Sequence, residues 1–152
     1  MSAAPFSIAS TANWADVDVN GHMSNSAYLY KCVDSRMSYF QQHGFTAANF
    51  VQRRIGPVVR REAIEYFREI GLMEALTVTL ALAGMSTDGS RFRLVNELLK
   101  SGGVRAARIV SESGWLDLNA RKLMVPPPDL MAAMSAMPRT PDYETLPSSI
   151  KS

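Results

Sequence analysis

Apolar and polar residues change rhythm several times along this chain, and each change predicts an element. From about Phe6 to Trp14 they alternate, with Phe6, Ile8 and Trp14 among small polar residues, as in a half-buried strand. An Asn20-Gly21 turn leads into a second regime. Here Tyr28, Leu29, Cys32, Val33, Met37 and Phe40 recur at helical spacing, while Lys31, Asp34, Ser35, Ser38 and Gln42 fall mostly on other faces. Ser24 or Asn25 can cap this helix and Gly44 ends it. The result is a single helix about 28 Å long at 1.5 Å per residue.

Past Gly44 the chain reads as strand to about Leu118. Gly56 to Phe67, Leu76 to Leu82, Arg91 to Leu99 and Val104 to Leu116 are the apolar runs, and Gly71, Asp88-Gly89 and Gly102-Gly103 punctuate them as hairpin turns do. Beyond Met124 the prolines at 126, 127, 128, 138, 141 and 147 argue against regular pairing, with at most a short helix through Leu130 to Met137. The expected organisation is one domain over residues 1–125 and a Pro-rich C-terminal arm or tail over 126–152. One helix on an antiparallel sheet covers one face well, so the other face calls for solvent or a partner copy. With 47% hydrophobic residues, a homodimer or homotetramer is expected.

Composition narrows the function classes. A chain of 152 residues is long enough to bury roughly two-thirds of its unfolded surface without disulfides. Cys32 is the sole cysteine, which suits a reducing, cytoplasmic setting. The N-terminal MSAAPFSIAS has no basic-then-apolar leader, and no apolar run approaches a membrane span. A net charge of +2 and the lack of an aromatic-interleaved basic run give no reason to invoke nucleic acid. Arginines are grouped, however, as Arg53-Arg54, Arg60-Arg61, Arg91 with Arg93, and Arg105 with Arg108. Such pairs guard sheet edges or grip a small phosphate-bearing ligand.

Candidate chemistry concentrates in Asp16 to Tyr28, DVDVNGHMSNSAY. It sets Asp16, Asp18 and His22 directly before a helix N-terminus, where free amides and the helix dipole favour a polarised carbonyl or an anion. Asp16, Asp18, Asn20 and Gly21 also match the first positions of a calcium-binding loop. Ala27 replaces the bidentate Glu that such a loop needs, so no metal is expected.

The string D-x-D-x-x-G-H-M-S-N-x-x-Y, formed by Asp16, Asp18, Gly21, His22, Met23, Ser24, Asn25 and Tyr28, resembles the signature of the 4-hydroxybenzoyl-CoA thioesterase-like acyl-CoA thioesterases. The resemblance implies an α+β hotdog fold, a long central α-helix wrapped by a five-stranded antiparallel β-sheet. It implies an enzyme that hydrolyses an acyl-CoA thioester to free acid and coenzyme A. No cofactor is needed, since coenzyme A is part of the substrate. Asp18 would be the catalytic carboxylate, as general base or as nucleophile, and the backbone N–H near Asn25 would face the thioester oxygen. Gly21 and His22 would shape the turn, with Met23 and Tyr28 beside the substrate. Ser90 and Arg91 would be candidates for the nucleotide, with Arg60 or Arg61 as alternatives to Arg91. Ser24 stands where many relatives have the first of two asparagines.

The remaining polar residues read more plainly. Asp16 is a turn former, His43 complements the helix C-terminus, Cys32 belongs to the core, and Glu62 and Glu65 are expected at the surface. Two rival functions share the expected fold. A dehydratase or hydratase would use Asp18 with His22, and a non-catalytic acyl-CoA-binding module would only hold its ligand. Release of free thiol separates hydrolysis from both.

Overall fold

The computed structural model describes residues 4–151. The first three residues of the expected 1–125 unit and the last of the 126–152 segment lie outside the described residues. Element order is β1 (Phe6–Thr11), α1 (Asn25–Gln42), α2 (Ala47–Arg53), β2 (Ile55–Tyr66), β3 (Ala75–Ser86), β4 (Arg91–Lys100), β5 (Val104–Asp117), β6 (Lys122–Met124), α3 (Pro128–Ser135) and β7 (Arg139–Leu146). The sheet has seven strands rather than five. Its path β1-β3-β4-β5-β2 contains the five expected from sequence, all antiparallel. The two additions are short or irregular strands that prolong existing lines. β6 pairs Trp115–Asp117 beyond the end of β4, and β7 runs parallel to β3 beyond the end of β1.

β7 corrects the expectation that the late prolines exclude pairing. Arg139 pairs with Leu82 and Glu144 with Gly84, so residues 140–143 bulge opposite a single residue and Pro141 sits where no ladder bond is required. Gly84 makes the close approach possible. A Cβ there would lie 3.0 Å from the Glu144 carbonyl oxygen and 3.0 Å from Leu146. Two other boundaries differ. β1 stops at Thr11, because the Asp16 carboxylate draws Asn13 into a tight turn and leaves Trp14 exposed. The chain after Gly44 is not all strand. Thr46 caps α2 by accepting the Asn49 N–H at 3.2 Å, and Asn49 accepts the Thr46 N–H at 2.9 Å, a local capping box.

α1 packs against β1, β3 and β4, and it buries polar residues as well as apolar ones: Lys31, Ser35 and Arg36 are inside. The interior divides into two apolar clusters. One gathers Tyr39, Phe40, Phe45, Phe50, Phe92 and Trp115 with residues of α3, and the other gathers Met23, Tyr28, Cys32, Ile70, Leu98 and Ile109. Between them lies a polar layer. Arg36, only 8% exposed, donates from Nε and Nη2 to Asn96 Oδ1 at 3.0 and 2.9 Å, and from Nη2 to Ser111 Oγ at 2.7 Å. Its Nη1 meets Glu62 Oε1 at 3.3 Å, which also accepts from Ser111 Oγ at 2.8 Å. Asn96 in turn donates to Ser35 Oγ and to the Thr79 carbonyl. Glu62 is therefore an internal ion-pair partner, not a surface residue, whereas Glu65 is exposed.

Breaking this layer from one side strands the other. Arg36→Ala should cost about 3–5 kcal/mol in denaturant unfolding by leaving Glu62 unpaired in a largely buried position. Adding Glu62→Gln should recover part of that loss, and a double variant no more stable than Arg36→Ala would contradict this account.

Candidate active site

Asp18 sits in a turn built by its own side chain. Oδ1 accepts the Asn20 N–H at 2.8 Å, the Asp18 carbonyl accepts the Gly21 N–H at 3.1 Å, and the Asp18 N–H donates to the His22 carbonyl at 3.2 Å. Gly21 adopts φ +84°, which favours glycine and lets the chain reverse. The other carboxylate oxygen, Oδ2, has no hydrogen-bond partner among the described residues, and the side chain is exposed.

The helix that follows begins uncapped. Ser24 occupies the N-cap with extended backbone, yet its side chain bonds no helical amide and lies 3.4 Å from Ser26 Oγ. Among the described residues the N–H groups of Asn25 and Ser26 are therefore free, close in sequence to the Asp18 turn. A missing cap ordinarily costs a helix about 1 kcal/mol. Here that cost leaves two dipole-end donors open to a ligand.

A connector that the sequence reading did not single out holds this helix start. Between β2 and β3, the Ile70 carbonyl accepts the Met23 N–H at 2.7 Å, and His22 bridges Gly71. The Tyr28 hydroxyl donates to the Arg68 carbonyl at 3.1 Å, and the Tyr66 hydroxyl donates to the Asn25 carbonyl at 3.1 Å. Tyr28 and Tyr66 also meet edge to face at 5.0 Å. Met23 and Tyr28 are thus buried supports, and the His22 ring points to Glu69 at 3.4 Å. Only the aromatic character of Tyr66 could have flagged it, because these partners are about forty residues apart in sequence.

Asp16 is structural, as expected. It accepts from Lys31 Nζ at 2.9 Å, and Lys31 also donates to the Thr11 carbonyl. Burial works against ionising Asp16, but the Lys31 ammonium and the Asn13 N–H outweigh it and hold the carboxyl below its ordinary value. Cys32 is core: burial pushes its thiol up to about 12, so it is no nucleophile at neutral pH. His43 stacks on Tyr39 at 4.0 Å and bonds the Tyr39 carbonyl.

A separate groove of about 180 Å³ lies on the sheet, lined by Val58, Arg60, Arg91, Glu112, Gly114 and Ser149 among others. It brings Arg60 and Arg91 together and shares no lining residue with the Asp18 turn. Ser90 does not reach it as expected. Its side chain is fully buried, bonded to Asp88, and it accepts the Ser149 N–H at 2.9 Å.

A family model described as the thioesterase-like superfamily matches residues 12–134. Similar solved structures include a 1,4-dihydroxy-2-naphthoyl-CoA thioesterase from Synechocystis, 18% identical, with 88% of this chain and 97% of that one covered at a TM-score of 0.78. A hypothetical protein from Staphylococcus aureus in complex with CoA is 20% identical, with 100% and 92% covered at 0.79. A DHNA-CoA thioesterase from the same organism is 20% identical, with 85% and 87% covered at 0.77. At such identities the likeness establishes the fold, an α+β hotdog. Among curated proteins none matches by sequence.

The Asp16–Lys31 pair gives the loop a pH signature. A depressed carboxyl pKa adds stability above the ordinary value of 3.8, and that contribution disappears as pH falls through the lower folded value. Asp16→Asn should therefore lower the melting temperature near neutral pH, and the difference from wild type should be smaller in acid, where the carboxyl becomes protonated as pH falls below 3.8. A gap of equal size at both pH values would show that Asp16 acts only by shape.

Proposed function

This chain belongs to the thioesterase-like superfamily and is a thioester hydrolase, and we propose that its substrate is an acyl-CoA, cleaved to a free acid and coenzyme A. One observation carries the reading: a carboxylate with an open oxygen, Asp18, is held in a turn just before a helix whose first amides are uncapped. In this mechanism the thioester carbonyl oxygen accepts from the amide near Asn25. Charge that develops there during attack meets a preformed donor and the positive helix end, an effect of about 2.7–4 kcal/mol per donor. Asp18 either removes a proton from the attacking water or attacks the carbonyl itself, giving a mixed anhydride that water opens. The coenzyme A thiolate leaves in both routes.

His22 argues for hydrolysis over hydration of an acyl double bond. Its ring is directed to Glu69, and it meets Asp18 only through the backbone, so the two side chains do not form an acid–base pair. The groove with Arg60 and Arg91 suits the phosphates of coenzyme A, far from the reacting carbonyl. The CoA in the similar Staphylococcus aureus protein supports that ligand class. The working unit is at least a homodimer. β2 is a twelve-residue strand at the end of the sheet path, with Val59 and Tyr66 exposed, an edge that a second copy would cover.

Free-thiol release from a panel of aliphatic, aromatic and polar acyl-CoAs tests the activity, and background rates throughout would refute it. Asp18→Asn should retain the fold and lower kcat by about 100-fold or more. A near-wild-type kcat would remove Asp18 from the mechanism. Arg91→Ala should raise KM with kcat nearly unchanged, and added salt should narrow the gap from wild type. A fall in kcat at constant KM would place Arg91 at the reacting centre instead.

A further inference from the structure

The segment after β7 belongs to the stretch expected as a Pro-rich arm or tail, and it is clipped onto the β3–β4 turn by a set of hydrogen bonds that ends at Arg91. Asp88 Oδ1 accepts from Ser86 Oγ at 2.7 Å, from the Ser90 N–H at 3.0 Å and from Ser90 Oγ at 2.7 Å, while Oδ2 accepts from Ser148 Oγ. Burial opposes ionisation of Asp88, but these serine donors prevail and keep it a carboxylate well below the usual range. Ser149 then donates its N–H to Ser90 Oγ at 2.9 Å and accepts from Arg91 Nε at 3.4 Å. The same Ser149 lines the groove with Arg60 and Arg91.

The charges in this groove are unevenly committed. Glu112, the carboxylate on the groove wall, is taken by Arg93 at 2.8 Å. Among the described residues, Arg60 and Arg91 have no such partner. A guanidinium held at Nε by a neutral hydroxyl keeps its full charge and both terminal nitrogens, the fork that matches a phosphate.

We propose that Ser148–Ile150 is a built strap of the ligand groove, in which Ser149 positions Arg91 to bind the phosphates of the coenzyme A nucleotide. This rests on reading the groove as the nucleotide end of the acyl-CoA site. Ser149 is a positioning residue in this scheme, and Ser148 with Asp88 is its anchor. The strap thereby ties the C-terminal end of the chain to substrate selection, favouring thioesters that carry a phosphorylated nucleotide over those that carry only the short thiol arm.

The test compares full-length wild type, Ser149→Ala and Ser148→Ala/Ser149→Ala on one acyl group carried either by coenzyme A or by N-acetylcysteamine, which has no nucleotide. Each variant should raise KM for the acyl-CoA by about five- to tenfold at constant kcat, as expected for one charge-assisted contact. KM for the N-acetylcysteamine thioester should move by less than about twofold, since that substrate never meets Arg91. Combining Ser149→Ala with Arg91→Ala should add little to Arg91→Ala alone, because both act through one contact. Equal changes on the two substrates, no change on either, or additive effects of the two substitutions would overturn the proposal. Calorimetric binding of adenosine 3′,5′-bisphosphate reads the strap without turnover. If wild type binds it and the serine variants bind it equally well, the strap fails whatever the enzyme hydrolyses. If the variants lose it while neither thioester is cleaved, the strap stands and the hydrolytic reading falls.

Discussion

The buried guanidinium of Arg36 is the constraint around which the rest of this fold is arranged. A charge taken out of water needs several partners at once, and here they come from four strands: Glu62 on β2, the Thr79 carbonyl on β3 through Asn96, Asn96 itself on β4, and Ser111 on β5. Each partner lies where its element passes between the two apolar clusters. Val78 and Leu80 flank Thr79, Leu94 and Leu98 bracket Asn96, and Ile109 and Trp115 stand on either side of Ser111. The polar layer therefore fixes how far α1 slides along the sheet. A shift by one turn would strip Arg36 of its partners and leave Glu62 without its counter-charge, a penalty that uniform apolar packing would not impose.

Fixing α1 lengthwise also fixes its N-terminus, where the candidate site lies. Arg36 reaches Glu62, and two turns earlier Tyr28 meets Tyr66 edge to face, four residues further along β2. Eight residues of helix and four of strand both span about 12–13 Å, so these two contacts are commensurate and hold helix and strand side by side. Tyr66 then reaches the Asn25 carbonyl, and the connector beyond it binds Met23 and His22. The amides that start α1 are thus placed by the same strand that anchors its middle. Preorganised donors of this kind need no reorientation as charge develops.

Sequence reading reached the parts governed by local rules. The α1 boundaries follow from Gly44 and the Asn25 start, the β3–β4 turn from Asp88-Gly89, and the apolar runs of β2 to β5 from alternation. It missed what depends on distant partners. Lys31 and Ser35 fall off the apolar stripe of α1 and read as lying on its other faces, yet they and Arg36 are buried because Asp16, Asn96 and Glu62 come to meet them. β7 was hidden by its prolines, since nothing local reveals that residues 140–143 bulge out of the ladder. α2 carried a legible capping box in Thr46 and Asn49 that periodicity alone passed over. In the site, Asp18, Gly21 and the helix start were legible as a contiguous motif. Tyr66 and Ser149, which act from far along the chain, were not.

Exposure of Asp18 bears most directly on assembly. A carboxylate and two free amides in contact with bulk water have little catalytic leverage, because water screens the helix end and offers competing donors. The buried interior cannot supply the missing wall, as both apolar clusters are filled by the chain's own side chains. The groove of Arg60 and Arg91 shares no residue with the Asp18 turn and lies on strands of the opposite half of the sheet path from β1. An acyl-CoA that uses both must therefore find them connected by something beyond one chain's compact core. Under the homodimer proposed above, a second copy seated along β2 would cover that long edge and could join the Asp18 turn of one copy to the arginine groove of the other. The polar layer that locks α1 bears on that edge too, since Glu62 and Tyr66 tie one face of β2 to the helix and leave its outer hydrogen-bonding edge unpaired among the described residues.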